Sequence, residues 1–388
     1  MNSSLNASFV QFPWDIPINS TICIYGVGSR GVQLLKYLQE YRKDVVIKCF
    51  VDSYSQMGSH QGLKVYNLQD FIKQKESYDF IIIASYQWQQ IISSLMGQNI
   101  TQVKILGFHF ASCLSTLEVS CDYYLNEFQD DEQYYQNLMM DVLDIFDDEE
   151  DKQLYKKLFA IRNGKLPYEV LKEQLPSLEN VLFQYLDYIK KDEIKTVVDA
   201  GVYDGAGIAV FFRFFPLLKK VYGFEPLKNI YCCGLEYVLG DEELKKTEII
   251  PLALSDKKQT MQILNLGHGS ALSVDKNQQN TLEIETVPLD LFWDNDKKLD
   301  FIKLDVENAE MDVLKGAIET IKKDRPQIAT SIYHSKEQFF GIPLFLKENL
   351  DNYTFKLSHY SFSLAETVLY AIPNEIIGSK PFGRCGRI

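Results

Sequence analysis

Long hydrophobic runs are missing from this chain: no apolar stretch approaches the roughly 18 to 20 residues that a bilayer span needs. The opening MNSSLNASFVQFPWDIP has neither the basic start nor the continuous apolar core of a secretory signal. The expectation is a cytoplasmic protein with no membrane span. Cysteine is sparse, seven residues in 388, with no C-x-x-C and only the vicinal pair Cys232 and Cys233, which excludes a disulfide framework and a zinc-ligand spacing. Basic residues are outnumbered, 40 Lys and Arg against 53 Asp and Glu. The net charge of −13 argues against broad nucleic-acid binding, because phosphate recognition needs clustered cations that would have to overcome this field. Repeats, low-complexity tracts and Pro-rich segments are absent as well. What remains is 46% apolar and 24% charged residues, ordinary for a globular protein long enough for two domains and a third element.

Strand and helix alternate from Thr21 to Phe108: TICIYG, a helical stretch to Tyr41, VVIKCFVD, a short helix over Leu68 to Lys75, DFIIIAS and VKILGF. That pattern predicts a small Rossmann-like domain over residues 1–112 with a parallel sheet. Over residues 113–192 strands vanish and the chain becomes acidic. Leu138, Val142, Leu143, Phe146, Leu154, Leu158 and Phe159 recur there at three- and four-residue spacing, which predicts a helical connector packed on a neighbouring domain. Alternation resumes over residues 193–388 with TVVDAGV, VYGFEP, EIIPLAL, DFIKLD, QIATSIYH, YTFKLSHYS and TVLYAIP. Seven strand candidates predict a second, larger sheet, so the fold class is α/β with two doubly wound domains joined by an acidic helical connector.

Ligands of doubly wound sheets sit outside the carboxyl ends of the strands, so the residues closing each strand are the ones to read. The first strand of the second domain closes on Asp199, Gly201, Asp204 and Gly205; the next closes on Glu225. Glycines there let a backbone approach a ligand, and an acid at Glu225 can accept hydrogen bonds from both hydroxyls of a ribose. Tyr203 stands where a dinucleotide fingerprint has its middle glycine, and Asp204 would repel a pyrophosphate. S-adenosylmethionine, with a ribose, a sulfonium cation and no phosphate, suits such a loop better. The plainer alternative is that Asp199 and Asp204 cap the helix that follows.

The residues VVDAGVYDG, GFEP, PLALSDK, GHGSAL, DFIKLDVENAEMDVLKGA, SIYH and ETVLYAI, in this order, resemble the FkbM-type methyltransferases from about Thr196 to Pro373. The resemblance implies use of S-adenosylmethionine, methylation of a hydroxyl of a sugar or natural product, and a cofactor role for Asp199, Gly201, Asp204, Gly205 and Glu225. Asp256, closing the third strand, is a weaker candidate for the adenine edge. One departure stands out: where the family usually has DVEGAE, this chain has Asn308 in place of the glycine.

Methyl transfer is an in-line displacement from an already activated sulfonium, so the protein must align the acceptor oxygen and remove its proton. Asp305 closes the fourth strand beside the cofactor strand and is the preferred base. His334 and His359 each end a strand on the same edge, two of only five histidines in the chain. A divalent metal held by Asp305 with Glu307 or a histidine is compatible with these residues, although no ligand spacing demands it. The plainer reading is that Asp305, Glu307 and Glu310 complement the dipole of a helix over Asn308 to Lys322, and that His334 is a hydrogen-bonded structural residue.

In the first domain Gly26, Gly28 and Gly31 form a GxGxxG loop between strand and helix, and Asp52 closes the next strand where a ribose acid belongs. The stretch GSHQGLKVYNLQDF resembles small Rossmann-like domains attached to sugar-modifying enzymes. A nucleotide or nucleotide sugar is the expected ligand there, with NAD or a scaffold role as alternatives. The sequence thus reads as an S-adenosylmethionine-dependent O-methyltransferase acting on a sugar or sugar nucleotide, and a homo-oligomer is compatible with it. The rivals are an NAD-dependent sugar-nucleotide oxidoreductase or epimerase and a nonenzymatic sugar-nucleotide-binding module. Against the former, the first domain lacks a Tyr-x-x-x-Lys pair.

Overall fold

The computed structural model describes residues 8–10, 12–74, 77–85, 87–107, 110–111, 114, 127–171, 183–228, 232, 235–264, 281–294, 296–361 and 364–377. The chain forms two compact units, Met1–Glu118 and Val119–Ile388. Among the described residues, no helix is long and apolar enough to cross a membrane.

The first unit is built on strands β1 (Ser8–Val10), β2 (Thr21–Tyr25), β3 (Val46–Val51), β4 (Ser59–His60), β5 (Leu63–Tyr66), β6 (Phe80–Ile83) and β7 (Val103–Leu106). Their order across the sheet is β1-β7-β6-β2-β3-β5-β4, parallel throughout except for the β4–β5 hairpin. Sequences such as TICIY and FIII are apolar at nearly every position because helices cover both faces of a parallel sheet. Cys23, Tyr25, Ile81 and Ile83 fill one side, with Trp88 and Ile92 of the helix Trp88–Met96 against them. Since β2 lies between β3 and β6, the chain reverses its winding at β2. The loop leaving β2 therefore opens onto a crevice.

The second unit repeats the device on a larger scale. Its main sheet uses β8 (Thr196–Ala200), β9 (Lys220–Phe224), β10 (Thr247–Ile250), β14 (Phe301–Leu304), β15 (Gln327–Ser331), β16 (Tyr353–His359) and β17 (Thr367–Pro373). The order is β10-β9-β8-β14-β15-β17-β16, with β17 antiparallel to both neighbours. The switch point lies between β8 and β14, so the carboxyl ends of these two strands frame the crevice. A smaller sheet of β11 (Ala253–Leu254), β12 (Gln259–Leu264) and β13 (Thr281–Val287) flanks it in the order β11-β13-β12. The stretch EIIPLAL, read as one strand, is thus divided between two sheets, and Pro251 stands at the break, where it has no N–H to offer a ladder.

The helices Glu132–Leu143 and Glu149–Arg162 contribute Val142, Leu143, Leu158 and Phe159 to the same core as Val198, Ile302 and Ile328 of the sheet. Tyr155 stacks on Phe339 at 4.5 Å and donates its hydroxyl to the Phe339 carbonyl at 2.9 Å. The single helix expected over Asn308 to Lys322 is two, Glu310–Lys315 and Ile318–Asp324. Gly316 lies at the break, and a Cβ there would come within 2.0 Å of the Ser255 carbonyl oxygen. That close approach fixes the turn.

Candidate active site

Three backbone hydrogen bonds lace the strand ends around the switch point: Gly201 N–H to Phe224 O, Glu225 N–H to Ile250 O and Asp305 N–H to Ala200 O, at 3.0 to 3.1 Å. Gly201 has φ +83° and its missing Cβ would sit 1.8 Å from the Asp305 carbonyl oxygen. No other residue fits, because conformation and space both forbid a side chain. The Gly201–Gly205 loop and the turn after β14 are therefore in backbone contact.

Within this frame Glu225 is buried, with Oε2 accepting the Tyr203 N–H at 3.0 Å and Oε1 accepting the Leu227 N–H at 2.9 Å. Both bonds aim the carboxylate, and each oxygen keeps a lone pair for a ligand hydroxyl. Burial pushes its pKa up, against the pull of the two N–H donors. Asp204 accepts the Ala206 N–H at 3.0 Å, at the start of the helix Ala206–Phe214, whose N-cap position is Gly205. Asp199 has another role: its Oδ1 lies 3.1 Å from Nζ of Lys303, a buried lysine in β14 that also donates to the Gly201 carbonyl at 2.7 Å. Burial works against the Lys303 charge, but Asp199 and Asp305 outweigh it and raise its pKa, so the ammonium stays protonated under the loop. Cys232 donates its thiol to the Tyr203 carbonyl at 3.0 Å, and burial together with Glu225, Asp204 and Asp199 pushes its pKa up to about 12. Asp256 lies just beyond β11, paired with Lys257 at 3.3 Å.

Beyond the turn after β14, Asp305, Glu307, Glu310 and His334 converge. His334 Nδ1 lies 2.9 Å from Glu310 Oε1, while Nε2 is 3.5 Å from Glu307 Oε2 and 3.8 Å from Asp305 Oδ1. Glu310 is fully buried and its Oε1 also accepts from Ser331 Oγ and the Val306 N–H, each at 2.9 Å. Burial alone would depress the His334 pKa; the three carboxylates overcome it and raise it to about 9. The crowding of negative charge continues at Glu366, raised to about 7 by burial and by Asp305. Tyr185 and Tyr333 are held far above the ordinary tyrosine pKa by burial and then by carboxylates, Asp305 and Glu366 among them. Glu307 and Asn308 have φ of +51° and +80°, so the turn is left-handed where the related pattern has glycine; asparagine tolerates that conformation better than most residues.

His359 is placed differently. It closes β16, the outermost strand, buried, with Nδ1 2.9 Å from Thr367 Oγ1 at the start of β17. Two strands, β15 and β17, separate it from the strand that carries Asp305. The loop GHGSAL lies outside the described residues. Lys303, Tyr185 and Glu366 were not singled out from the sequence, and Glu310 was read there only as complementing a helix dipole. For Lys303 a signal existed, since a lysine inside the apolar run FIKL of a central strand must find a buried partner.

In the first unit, Gly26 has φ +113° with its Cβ position 2.9 Å from the Ala84 carbonyl oxygen, and a Cβ on Gly31 would meet the Gly26 carbonyl oxygen at 2.0 Å. Packing of strand against helix accounts for both. Gly28 is different: at φ −71° any residue fits, and a Cβ would meet nothing within 4 Å. Asp52 accepts the Val27 N–H at 3.2 Å and the Tyr54 and Ser55 N–H groups at 2.9 Å, tying the loop after β3 to the glycine loop.

Sheet order, the antiparallel β17 and the crevice at β8 and β14 define a Rossmann-like methyltransferase fold. Residues 199–357, within the second unit, match the family model of the methyltransferase FkbM domain. In fold the chain is similar to methyltransferase FkbM from Methylobacillus flagellatus KT, at 15% identity, over 91% of this chain and 90% of that one, with a TM-score of 0.51. Partial likenesses extend to UDP-D-quinovosamine 4-dehydrogenase from Vibrio fischeri (21% identity, 23% of this chain and 80% of that one, TM-score 0.20). Another is precorrin-6y C5,15-methyltransferase from Geobacter metallireducens GS-15 (8% identity, 50% and 87%, TM-score 0.30). Neither reaches the level at which a shared fold can be argued. No curated protein matches the chain.

Proposed function

We propose that the second unit transfers the methyl group of S-adenosylmethionine to a hydroxyl oxygen of a sugar or sugar nucleotide. The observation that carries this reading is the backbone contact between Gly201 and Asp305, which joins the Glu225 loop and the Asp305–His334 cluster into one crevice. Glu225 accepts the ribose hydroxyls, its carboxylate held in place by the Tyr203 and Leu227 N–H groups. The excess of carboxylates favours a sulfonium cation over the neutral thioether product. Asp305 receives the hydroxyl proton. The C–O bond forms as the C–S bond breaks, with the electron pair left on sulfur. His334, protonated and clamped by Glu310, steadies the Asp305 carboxylate and orients the acceptor. Its raised pKa suits it to hold charge rather than to accept the proton. His359, sealed between β16 and β17, supports the sheet edge.

For the first unit the reading is a nucleotide or nucleotide-sugar site. It rests on Gly28, the one glycine of the loop that packing does not explain.

The reading is tested by incubating the full chain with methyl-labelled S-adenosylmethionine and a panel of sugars and sugar nucleotides. A methyl ether product is expected, and Asp305→Asn lowers turnover by about 10² while S-adenosylhomocysteine still binds. Full turnover in Asp305→Asn would remove Asp305 as the base. Reduction of NAD with no methylated product would favour an oxidoreductase.

A further inference from the structure

Among the described residues, the buried side-chain atoms Asp305 Oδ1, Glu310 Oε2 and His334 Nε2, three around the turn after β14, have no hydrogen-bond partner. Leaving one such atom unpaired costs about 1 to 3 kcal/mol, more for a charged group. Three in one place call for an explanation. All three belong to side chains that converge, and these residues offer ligand atoms within 4.8 Å of one another. The His334 side chain is 6% exposed and Glu310 is fully buried. Nε2 points at Asp305 Oδ1 across 3.8 Å and at Glu307 Oε2 across 3.5 Å. Those gaps are long for hydrogen bonds. They are near the separation of two ligands that share an ion, since atoms each about 2.1 Å from a cation sit roughly 3.0 Å apart when adjacent and 4.2 Å when opposite.

We propose that Asp305, Glu310 and His334 form a binding site for a divalent cation of the Mn²⁺ class, with Glu307 at its rim; the entering ion displaces the Nε2 proton of His334 to solvent, and the imidazole keeps its Nδ1 proton toward Glu310. Two carboxylates and one imidazole suit such an ion: the oxygens fit a hard cation, and the imidazole favours Mn²⁺ over Mg²⁺. Charge points the same way, because four carboxylates (Asp305, Glu307, Glu310 and Glu366) crowd a region where Lys303 is already paired with Asp199. Ser331 Oγ and the Val306 N–H both hold Glu310 Oε1, which orients that carboxylate before any ion arrives.

What the ion does rests on the methyl-transfer reading. It draws the acceptor hydroxyl in as a further ligand and lowers its pKa. The proton passes to the oxygen of Asp305 that does not face the ion, and the alkoxide takes the methyl group as the C–S bond breaks toward sulfur.

The test is uptake of Mn²⁺ by the full chain, freed of metal by chelator, followed by the loss of the free-ion signal in electron paramagnetic resonance. S-adenosylhomocysteine binding is measured by calorimetry on the same samples. The expected result is one Mn²⁺ per chain, weakened at least tenfold by Asp305→Asn, whose partly exposed carboxylate can be changed without disturbing the core, and similarly by His334→Gln. Absence of uptake at millimolar Mn²⁺, or equal uptake by the wild type and both variants, overturns the site; a protonated His334 is then the cation among these carboxylates. Retained S-adenosylhomocysteine binding alongside that failure leaves the methyltransferase reading standing, whereas Mn²⁺ uptake without S-adenosylhomocysteine binding upholds the ion site and sinks the cofactor assignment.

Discussion

Glu225→Gln is the sharpest perturbation of the cofactor site, because it removes charge and one acceptor while keeping shape. Alanine would strand the Tyr203 and Leu227 N–H groups, which Glu225 accepts at 3.0 and 2.9 Å, and the loop would shift for reasons unrelated to a ligand. Glutamine retains a carbonyl for one of these donors and turns an NH₂ toward the other. Only one oxygen is then left to accept from a ribose, and it is neutral. A hydrogen bond to a charged group contributes about 1.5 to 3 kcal/mol. Loss of one such bond weakens S-adenosylhomocysteine by about tenfold to a hundredfold. The assay is titration calorimetry on wild type and variant at matched pH, with a melting curve for each to establish that the variant is folded. A folded Glu225→Gln protein with unchanged affinity would refute the ribose assignment, and most of the cofactor argument would go with it.

Glycine substitutions separate fold from ligand. Gly201→Ala meets the Asp305 carbonyl oxygen at 1.8 Å with φ +83° and is expected to lose at least about 2 kcal/mol in urea unfolding, whereas Gly28→Ala, in open space, stays within about 0.5 kcal/mol of wild type. If the Gly28 reading is right, the same silent change abolishes the rise in melting temperature given by nucleotides or nucleotide sugars; no rise with any of them in the wild type ends the ligand reading of the first unit. Glu366 carries a pH signature. Its pKa rises from 4.5 to about 7 on folding, so the folded chain holds that proton more tightly, and this stabilisation is complete below pH 4.5 and lost as pH rises through 7. Glu366→Gln, which cannot ionise, should remove the part of the stability lost between pH 4.5 and pH 8 that comes from this proton, and an unaltered pH profile would contradict the crowding of Glu366 with Asp305.

The strand ends were legible because parallel strands buried on both faces read as short apolar runs, and the residue after each run is the one facing the crevice. Asp199, Glu225, Asp305 and His334 were found in this way. The hairpin of β12 and β13 escaped notice since QTMQIL and TLEIETV carry polar residues on an exposed face and pair only with each other and the short β11. The helical segment was legible as amphipathic, but its share in the core of the second unit was not, because periodicity gives a face and not its partner. Lys303 was overlooked and Glu310 read only as a helix-dipole residue for a common reason: each is buried beneath the surface of the site, and sequence reading attends to what ends a strand. His359 shows the converse, since ending a strand on the right edge does not bring a side chain to the crevice when two further strands intervene.

In the proposed function, one crevice at the ends of β8 and β14 holds S-adenosylmethionine with its methyl group toward Asp305. A crystal structure of the full chain with S-adenosylhomocysteine tests it most directly. The expected complex has ribose hydroxyls on the Glu225 carboxylate, the glycine loop against the ligand and the sulfur facing the Asp305–His334 cluster. Ligand bound elsewhere, or a ribose that leaves Glu225 untouched, would contradict it.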